Sequence, residues 1–416
     1  MKHLKVLWLG FAVPNELAWE LFALDPVPAV QTHKFGWSFA RALNQAFGEV
    51  TLASTCPVQS FPLVRKLFFC GGGFHSQGMN GVLIGFVNVL LLKHFTRLAA
   101  CLLSLMPLIK RKGINWIFVH GVHSPYLVFG LLARLLGCHV AVVLTDPPGI
   151  ALATDSRLAR LMKHIDSWLI GYFLARMDAV LALAPDLVLR LAPNQPALVF
   201  PGILESILDI PAASLDSHSR SLSNDGLFTI VYAGGLSQAY GVDRLIDAVL
   251  GFEPGVTVRL KLYGRGDQAM SIRRLVEEET RIVYGGFVDA ATLLPELCAA
   301  DLLINPRPTS EDFATMSFPS KLIEYLATGR PVLTTRIPSI PATLSEHFYY
   351  IKDESTEGIR TAIRAVMDLS ILNRSKKGIA AQQFVQKQFS EAATGRKIAE
   401  FINNLNLQYE RKKEEI

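Results

Sequence analysis

The chain has 416 residues, half of them apolar and 19% charged, with 24 Phe. At roughly 100 to 200 residues per domain this length allows two or more domains, and the apolar content excludes a mostly disordered chain. Five scattered cysteines, odd in number and without a CxxC pair, argue against a disulfide framework or a zinc site and fit a reducing, cytoplasmic setting. The formal charge of +5 divides unevenly. Residues 1–200 hold 17 Lys+Arg against 9 Asp+Glu (+8), which leaves 24 against 27 (−3) for residues 201–416. The basic half suits an anionic membrane surface, and no nucleic-acid partner is expected.

The start, Met1-Lys2-His3-Leu4-Lys5 and the apolar run 6–13, looks like a signal peptide only superficially, because no small-residue cleavage site follows. It reads instead as a first buried strand with a loop at Gly10. Short apolar runs at 6–9, 50–53, 116–119, 140–144, 179–183 and 198–200 read as strands buried on both faces of a parallel sheet. Segments 39–47, 126–136, 158–176 and 186–191 read as helices between them. The glycine-rich run 70–78 lacks the Gly-Lys-Ser/Thr of a P-loop and is expected to be a loop. Runs 82–92 and 98–109, interrupted by Lys93, His94 and Arg97, are too short for the ~20 residues of a membrane span. Two readings fit them: a buried core helix, or a helix in the membrane interface with its cations at the headgroups.

Residues 211–226 are Ser-rich and aperiodic and read as a linker. The alternation then restarts, with strands at 229–232, 257–263, 281–283, 302–304 and 332–334 and helices at 243–250, 269–279, 292–299, 320–327 and 357–367. The expected organisation is a first domain over 1–210, a linker over 211–226, a second domain over 227–389 and a C-terminal helix over 390–416 packing back on the first. The fold class is α/β: two doubly wound, Rossmann-like domains facing a central cleft, with ligand beyond the strand carboxyl ends.

Gly264-Arg265-Gly266 follows a strand and opens a helix, but the next strand runs into Gly285-Gly286-Phe287-Val288 without the acid of a nicotinamide site. It reads as a tight turn. The stretch Asn305-Pro306-Arg307-Pro308 through Ser317-Phe318-Pro319-Ser320-Lys321 to Val332 is more informative. Pro319 suits a first helical turn and Gly329 the position past the end. Free backbone N–H groups at that start, with Lys321 beside them and Glu324 on the same face, suit a nucleotide diphosphate whose ribose needs an acceptor. An ordinary surface Lys–Glu pair fits the same pattern.

Phe318-Pro319-Ser320-Lys321 with Glu324-Tyr325-Leu326-Ala327, Gly329 and Pro331-Val332 resembles the nucleotide-sugar segment of family 4-type GT-B glycosyltransferases, most of all bacterial members that build cell-surface polysaccharide. Val231-Tyr232-Ala233-Gly234-Gly235-Leu236 resembles that family's first strand and phosphate loop, and Leu262-Tyr263-Gly264-Arg265-Gly266 its base-recognition region. Leu144-Thr145-Asp146-Pro147-Pro148 and Val199-Phe200-Pro201-Gly202-Ile203 resemble the family more loosely. The resemblance implies a hexosyltransferase-like enzyme, retaining and metal-independent. It would move sugar from a UDP- or GDP-sugar to a glycan or lipid-linked acceptor, with no other cofactor, at the cytoplasmic face of a membrane.

It further implies that Glu324 accepts the ribose hydroxyls and that Lys321 and Arg307 meet the diphosphate. Gly234 and Gly235 would approach the phosphates or sugar, and the backbone near Phe287 and Val288 would meet the base. Arg265, Ser317, Phe318 and Ser320 complete the donor-binding set. Met316 departs from the pattern, standing where many relatives carry an acid; Glu311 and Asp312 lie nearby but out of register. Gly235 and Tyr240 stand where many relatives carry Arg and Lys. These departures leave a non-catalytic nucleotide-sugar-binding or partner scaffold as the alternative. On the acceptor side, His120 and His123 follow one expected strand and Asp146 another. Each could act as general base toward an acceptor hydroxyl, or serve as an ordinary loop or turn residue.

Overall fold

The structure, a computed structural model, describes residues 4–26, 28–147, 157–205, 226–310 and 314–414. The expected linker, apart from Gly226, lies outside the described residues, as do Pro148, Glu311 and Asp312. The chain divides into two compact units, Met1–Phe200 with Glu391–Ile416, and Pro201–Ser390.

In the first unit β1 (Val6–Gly10) and β2 (Val50–Ser54) are followed by β3 (Phe68–Phe69), β4 (Gly72–Ser76), β5 (Met79–Leu83) and β6 (Phe86–Val87). Then come β7 (Trp116–His120), β8 (His139–Leu144), β9 (Ala179–Ala182) and β10 (Ala197–Val199). The main sheet runs β10-β9-β8-β7-β1-β2-β5-β4, parallel except for the antiparallel β4–β5 hairpin. Its helices are α1 (Asn15–Leu24), α2 (Val30–Phe47), α3 (Leu90–Lys112), α4 (Ser124–Arg134), α5 (Arg157–Leu174) and α6 (Pro185–Leu191). The apolar face of α2 is buried through Trp37, Ala40 and Leu43, and the Trp37 indole donates to Val13 O at 2.8 Å. The C-terminal helix Glu391–Glu414 crosses α2 where Gly395 leaves the backbone of Ala42 no room for a Cβ. Arg41 forks onto the buried Glu391 there, through Nε at 2.8 Å and Nη2 at 2.7 Å.

Two expectations for this unit are corrected. The glycine-rich run is not a free loop, because Gly72–Ser76 is a strand paired with β5. The apolar run 82–92 is not a helix either: it passes through β5 and β6, and α3 begins only at Leu90. Gly85 is the reason, since it lets two backbones approach so closely that a Cβ there would sit 2.7 Å from Gly71 N and Phe69 O. Lys93 and Arg97 also turn inward rather than toward headgroups. Lys93 Nζ donates to Val58 O at 2.5 Å, and Arg97 donates to Cys56 O at 2.9 Å with its guanidinium 4.1 Å from the Phe86 ring centroid. Burial, then the like charge of Arg97, pushes Lys93 down to about 7. A left-handed Gly113 (φ 65°) ends α3, with Lys110, Arg111 and Lys112 in its last turn. Among the described residues α3 is long and apolar enough to cross a membrane, but 33% of its most apolar window is buried in the protein.

The second unit holds β11 (Phe228–Ala233), β12 (Val258–Tyr263), β13 (Ile282–Gly286), β14 (Leu302–Asn305), β15 (Val332–Thr335) and β16 (Tyr349–Ile351). They form one parallel sheet in the order β13-β12-β11-β14-β15-β16. Its helices are α7 (Val242–Leu250), α8 (Ala269–Glu278), α9 (Ala290–Ala299), α10 (Lys321–Ala327), α11 (Ala342–Ser345), α12 (Thr356–Met367) and α13 (Ile371–Phe389). Alternate strand residues feed two cores. Ile230, Leu260 and Ile304 pack with residues of α7 and α12, whereas Val231, Leu303 and Val332 pack with residues of α10 and α13. Both faces being covered is why these strands read as unbroken apolar runs. The strand order reverses between β11 and β14, which opens a crevice at their carboxyl ends.

Candidate functional site

Within the second unit, the donor residues named from the sequence converge on that reversal point. The turn after β11, Gly234–Leu236, lies backbone to backbone on the turn after β12. Leu236 N donates to Arg265 O at 2.8 Å, and Gly234 N donates to Tyr263 O at 2.9 Å. A Cβ on Gly264 (φ 137°) would overlap the carbonyl of Gly234, so glycine is required by space and by conformation alike. After β14, Gly241 at the start of α7 abuts the Pro306 carbonyl with no room for a Cβ, which pins that helix to the strand end.

Helix α10 delivers the cation. Tyr325 clamps it to the end of β11: its hydroxyl accepts from Ala233 N at 2.7 Å and donates to Ala233 O at 3.0 Å. One turn earlier, Lys321 Nζ stands 3.9 Å from the Tyr232 ring centroid and 3.0 Å from where a Gly234 Cβ would be. The Tyr232 hydroxyl donates to Gly235 O at 2.7 Å, so ring, loop and cation form one piece. Lys321 is half-buried, and desolvation followed by the like charge of Arg307 lowers it to about 7. Arg307 is itself buried. It donates to Ser317 O at 3.2 Å, and its own carbonyl accepts from Thr335 Oγ1 at 2.5 Å. Two cations at one strand-end crevice, each raising the cost of the other's charge, form a site that an anion would relieve.

The expected helix terminus is in place, with part of its N–H set used locally. Pro319 lies ahead of α10, and two N–H groups of its first turn are used locally, Leu322 N by Pro319 O at 2.9 Å and Ile323 N by Ser320 O at 3.0 Å. The Lys321 ammonium adds a full positive charge at this end. Phe318 is buried with Leu322 and Ile323, and its side chain is core; Ser320 is exposed. Glu324 is half-buried one turn beyond Lys321. Arg265 stacks its guanidinium 3.9 Å from the centroid of Phe287, and Val288 packs against the core that includes Phe318. This gives a flat polar and aromatic edge next to the Gly264 turn. The Gly235 and Tyr240 departures have one joint explanation: a Cβ on Gly235 would come within 2.7 Å of the Tyr240 ring, which fills the space a basic side chain would need.

In the first unit, His120 ends β7 at the corresponding reversal, between β1 and β7. Its side chain is not at a rim. It is 1% exposed, enclosed by Trp8, Phe11 and Phe35 at centroid distances of 5.2, 5.5 and 5.2 Å, and burial lowers it to about 3. The apolar residues around β1 leave it no hydrated face, which makes it a poor general base. His123 keeps solvent contact and stacks edgewise on Phe11 at 4.7 Å; burial, then Arg97, His94 and Lys93, hold it below its ordinary value. Asp146 is exposed just past β8. Among the described residues no three His, Cys, Asp or Glu side chains cluster as a metal site.

Tyr232 and Tyr325 acquire roles that the sequence reading did not assign. Each lies inside a quoted motif, but which backbone groups their hydroxyls reach depends on how α10 docks against β11.

Residues 228–368 match the family model for glycosyl transferases group 1. No curated protein matches the chain in sequence. Similar solved structures include sucrose-phosphate synthase from Thermosynechococcus elongatus (14% identity, TM-score 0.67, 97% of this chain and 100% of that one). Anabaena HepE in complex with UDP is also similar (13%, TM-score 0.63, 96% and 100%). So is trehalose-6-phosphate synthase OtsA (12%, TM-score 0.66, 97% and 99%). At these identities the structural likeness carries the fold, while the matched segment covers the reversal point, its glycine turns and α10. Residues 228–368 form a group 1 glycosyltransferase domain, and the chain is a glycosyltransferase with the GT-B fold.

Proposed function

We propose that this enzyme transfers a sugar from a UDP- or GDP-sugar to a glycan or lipid-linked acceptor in cell-surface polysaccharide synthesis, as a family 4-type retaining transferase at the cytoplasmic face of a membrane. The observation that carries the donor half is Lys321, held half-buried against an aromatic ring with a like charge as neighbour, in the matched segment. A diphosphate bound at this crevice would meet both cations at once and favour the charged form of Lys321. As the sugar leaves, negative charge grows on the departing diphosphate, and fixed cations at Lys321 and Arg307 stabilise that growth without reorganising. No metal is needed for that role.

The Gly234 and Gly264 turns, bare of side chains, admit the phosphates to the backbone. The Arg265–Phe287 edge suits a nucleobase, with Glu324 left to the ribose. HepE has been solved with UDP and with UDP-glucose, which favours the UDP-sugar of the two donors proposed. For the acceptor hydroxyl we assign the base role to Asp146 or His123 rather than to the enclosed His120.

The test is a thermal-shift panel of UDP- and GDP-sugars followed by transfer to membrane lipid extract. A ligand that binds only the folded state raises the melting temperature by mass action. One nucleotide sugar should stand out and label a lipid product. If no nucleotide sugar shifts the melting temperature and no sugar moves, the reading fails.

A further inference from the structure

The first unit presents an apolar surface that its own fold leaves uncovered. Leu63, Phe68, Leu90, Leu91 and Phe95 are between 57% and 69% exposed. They come from two segments held together by a single buried side chain. Asn88 donates through Nδ2 to Gln59 O at 3.0 Å and to Lys66 O at 3.1 Å, while its backbone N–H donates to Leu67 O and its carbonyl accepts from Phe61 N. Strands β3 and β6 pair antiparallel alongside, with Phe69 and Phe86 stacked at 4.7 Å. The loop 61–68 and the first turn of α3 are thereby one built surface rather than two loose ends. Lys93 and Arg97 fix α3 from below, because both are spent on buried carbonyls. What faces out is leucine and phenylalanine.

The segment that builds this surface carries charge of one sign; Asp25, which accepts from Gln59 N, is 4% exposed and lies beneath it, and Asp166 is held by Ser124 Oγ at 2.9 Å. From residue 50 to residue 145 the sequence has no Asp or Glu, and it carries eight Lys and Arg: Arg65, Lys66, Lys93, Arg97, Lys110, Arg111, Lys112 and Arg134. Arg65 and Lys66 are exposed beside Leu63 and Phe68. Large exposed apolar side chains bordered by the exposed cations Arg65 and Lys66 match a bilayer surface with anionic headgroups: the apolar groups enter the acyl boundary and the cations stay at the phosphates. A second copy meeting this surface face to face would set like charges against each other, since the same face is basic.

We propose that loop 61–68 and the first turn of α3 form a wedge that docks the enzyme onto anionic lipid bilayers. This deepens the membrane placement proposed above by naming the surface, and it alters the interfacial one of the two sequence readings: the contact is made by the apolar first turn, not by Lys93 and Arg97.

The test is co-sedimentation of the full chain with phosphatidylcholine vesicles, with and without phosphatidylglycerol, at low and high salt. The wild type should pellet with the anionic vesicles at low salt and release at high salt. The exposed triple variant Phe68→Ser/Leu91→Ser/Phe95→Ser should lose at least tenfold in partitioning. Arg65→Gln/Lys66→Gln should lose roughly twentyfold on anionic vesicles and little on neutral ones. The proposal is overturned if the wild type binds neither vesicle, or if the triple variant binds as well as wild type. It is also overturned if the wild type is a dimer that the triple variant splits, since a second copy would then cover the face. Vesicle binding requires no donor and the thermal shift by nucleotide sugar requires no lipid, so the two readings fail separately.

Discussion

Replacing Lys321 with Met removes the cation between the Tyr232 ring and the Gly234 loop while keeping the length of the side chain. A charge about 4 Å from a phosphate at an effective dielectric near 20 contributes roughly 4 kcal/mol, and desolvation of the two partners offsets part of it. A net loss of about 2 to 3 kcal/mol, ~30- to 150-fold in UDP affinity, is expected by titration calorimetry. The pH dependence is the sharper measurement. Lys321 sits near 7 instead of 10.5 in the free protein, and only its protonated form meets the diphosphate well. The protonated share falls from about half at pH 7 to roughly a tenth at pH 8, so wild-type affinity should fall about fivefold across that unit, accompanied by proton uptake. Working above pH 7 avoids the second phosphate ionisation near ~6. Stability moves oppositely. The unfolded chain binds the extra proton between about 7 and 10.5, so the free protein gains stability as pH rises through that window, and Lys321→Met removes this gain. A Met variant that keeps wild-type UDP affinity, or a wild-type affinity flat from pH 7 to 9, would show that Lys321 is not the phosphate contact.

Gly264→Ala should cost about 2 to 4 kcal/mol in urea unfolding, because φ is 137° and the Cβ meets the Gly234 carbonyl; Gly255→Ala, with open space around it, is the near-neutral control. Glu391→Ala removes the buried carboxylate that half-buried Arg41 forks onto, leaves Arg41 its bonds to Gln77 and Ser38, and should cost roughly 1 to 3 kcal/mol, with loss of helical signal from the C-terminal helix. An unchanged midpoint would mean the pair contributes nothing. His120 is held near 3 against an ordinary 6.5, so the unfolded state binds more protons between these values. Its contribution, at most about 5 kcal/mol, is complete above pH 6.5 and is lost as pH falls toward 3. His120→Phe should flatten, without abolishing, the acid slope of stability between pH 6.5 and 4, since His33, lowered to about 4, has the same sign. A variant as acid-sensitive as wild type would place His120 in water.

How legible each element was depended on how local its cause is. The strands of both sheets stood out because residues such as Ile230 and Val231 are apolar on successive positions, as two covered faces demand. Segments whose structure depends on a distant partner did not stand out. The edge strand Tyr349–Ile351 is three residues long and exists by pairing with β15, and β3 and β6 exist through the Gly85 approach and the Asn88 clamp. Helix α13 went unassigned although it buries Val385 and Phe389, because Gly378 sits mid-helix where the Gly329 backbone passes. At the donor site, residue types and their order were readable, Gly234, Arg307 and Lys321 among them. The filling of the Gly235 space by Tyr240 was not.

Residue order alone carried the doubly wound architecture and the kinds of group gathered for an anionic donor, since side-chain period and strand-end glycines are properties of short stretches. Direction and solvation were set by neighbours remote in the chain. Packing against β1 encloses His120 among aromatic rings, the carbonyls of Val58 and Cys56 draw Lys93 and Arg97 inward, and burial with the like charge of Arg307 lowers Lys321 to about 7. Charge counts are additive along a sequence, but the free energy of a charge depends on what surrounds it in space.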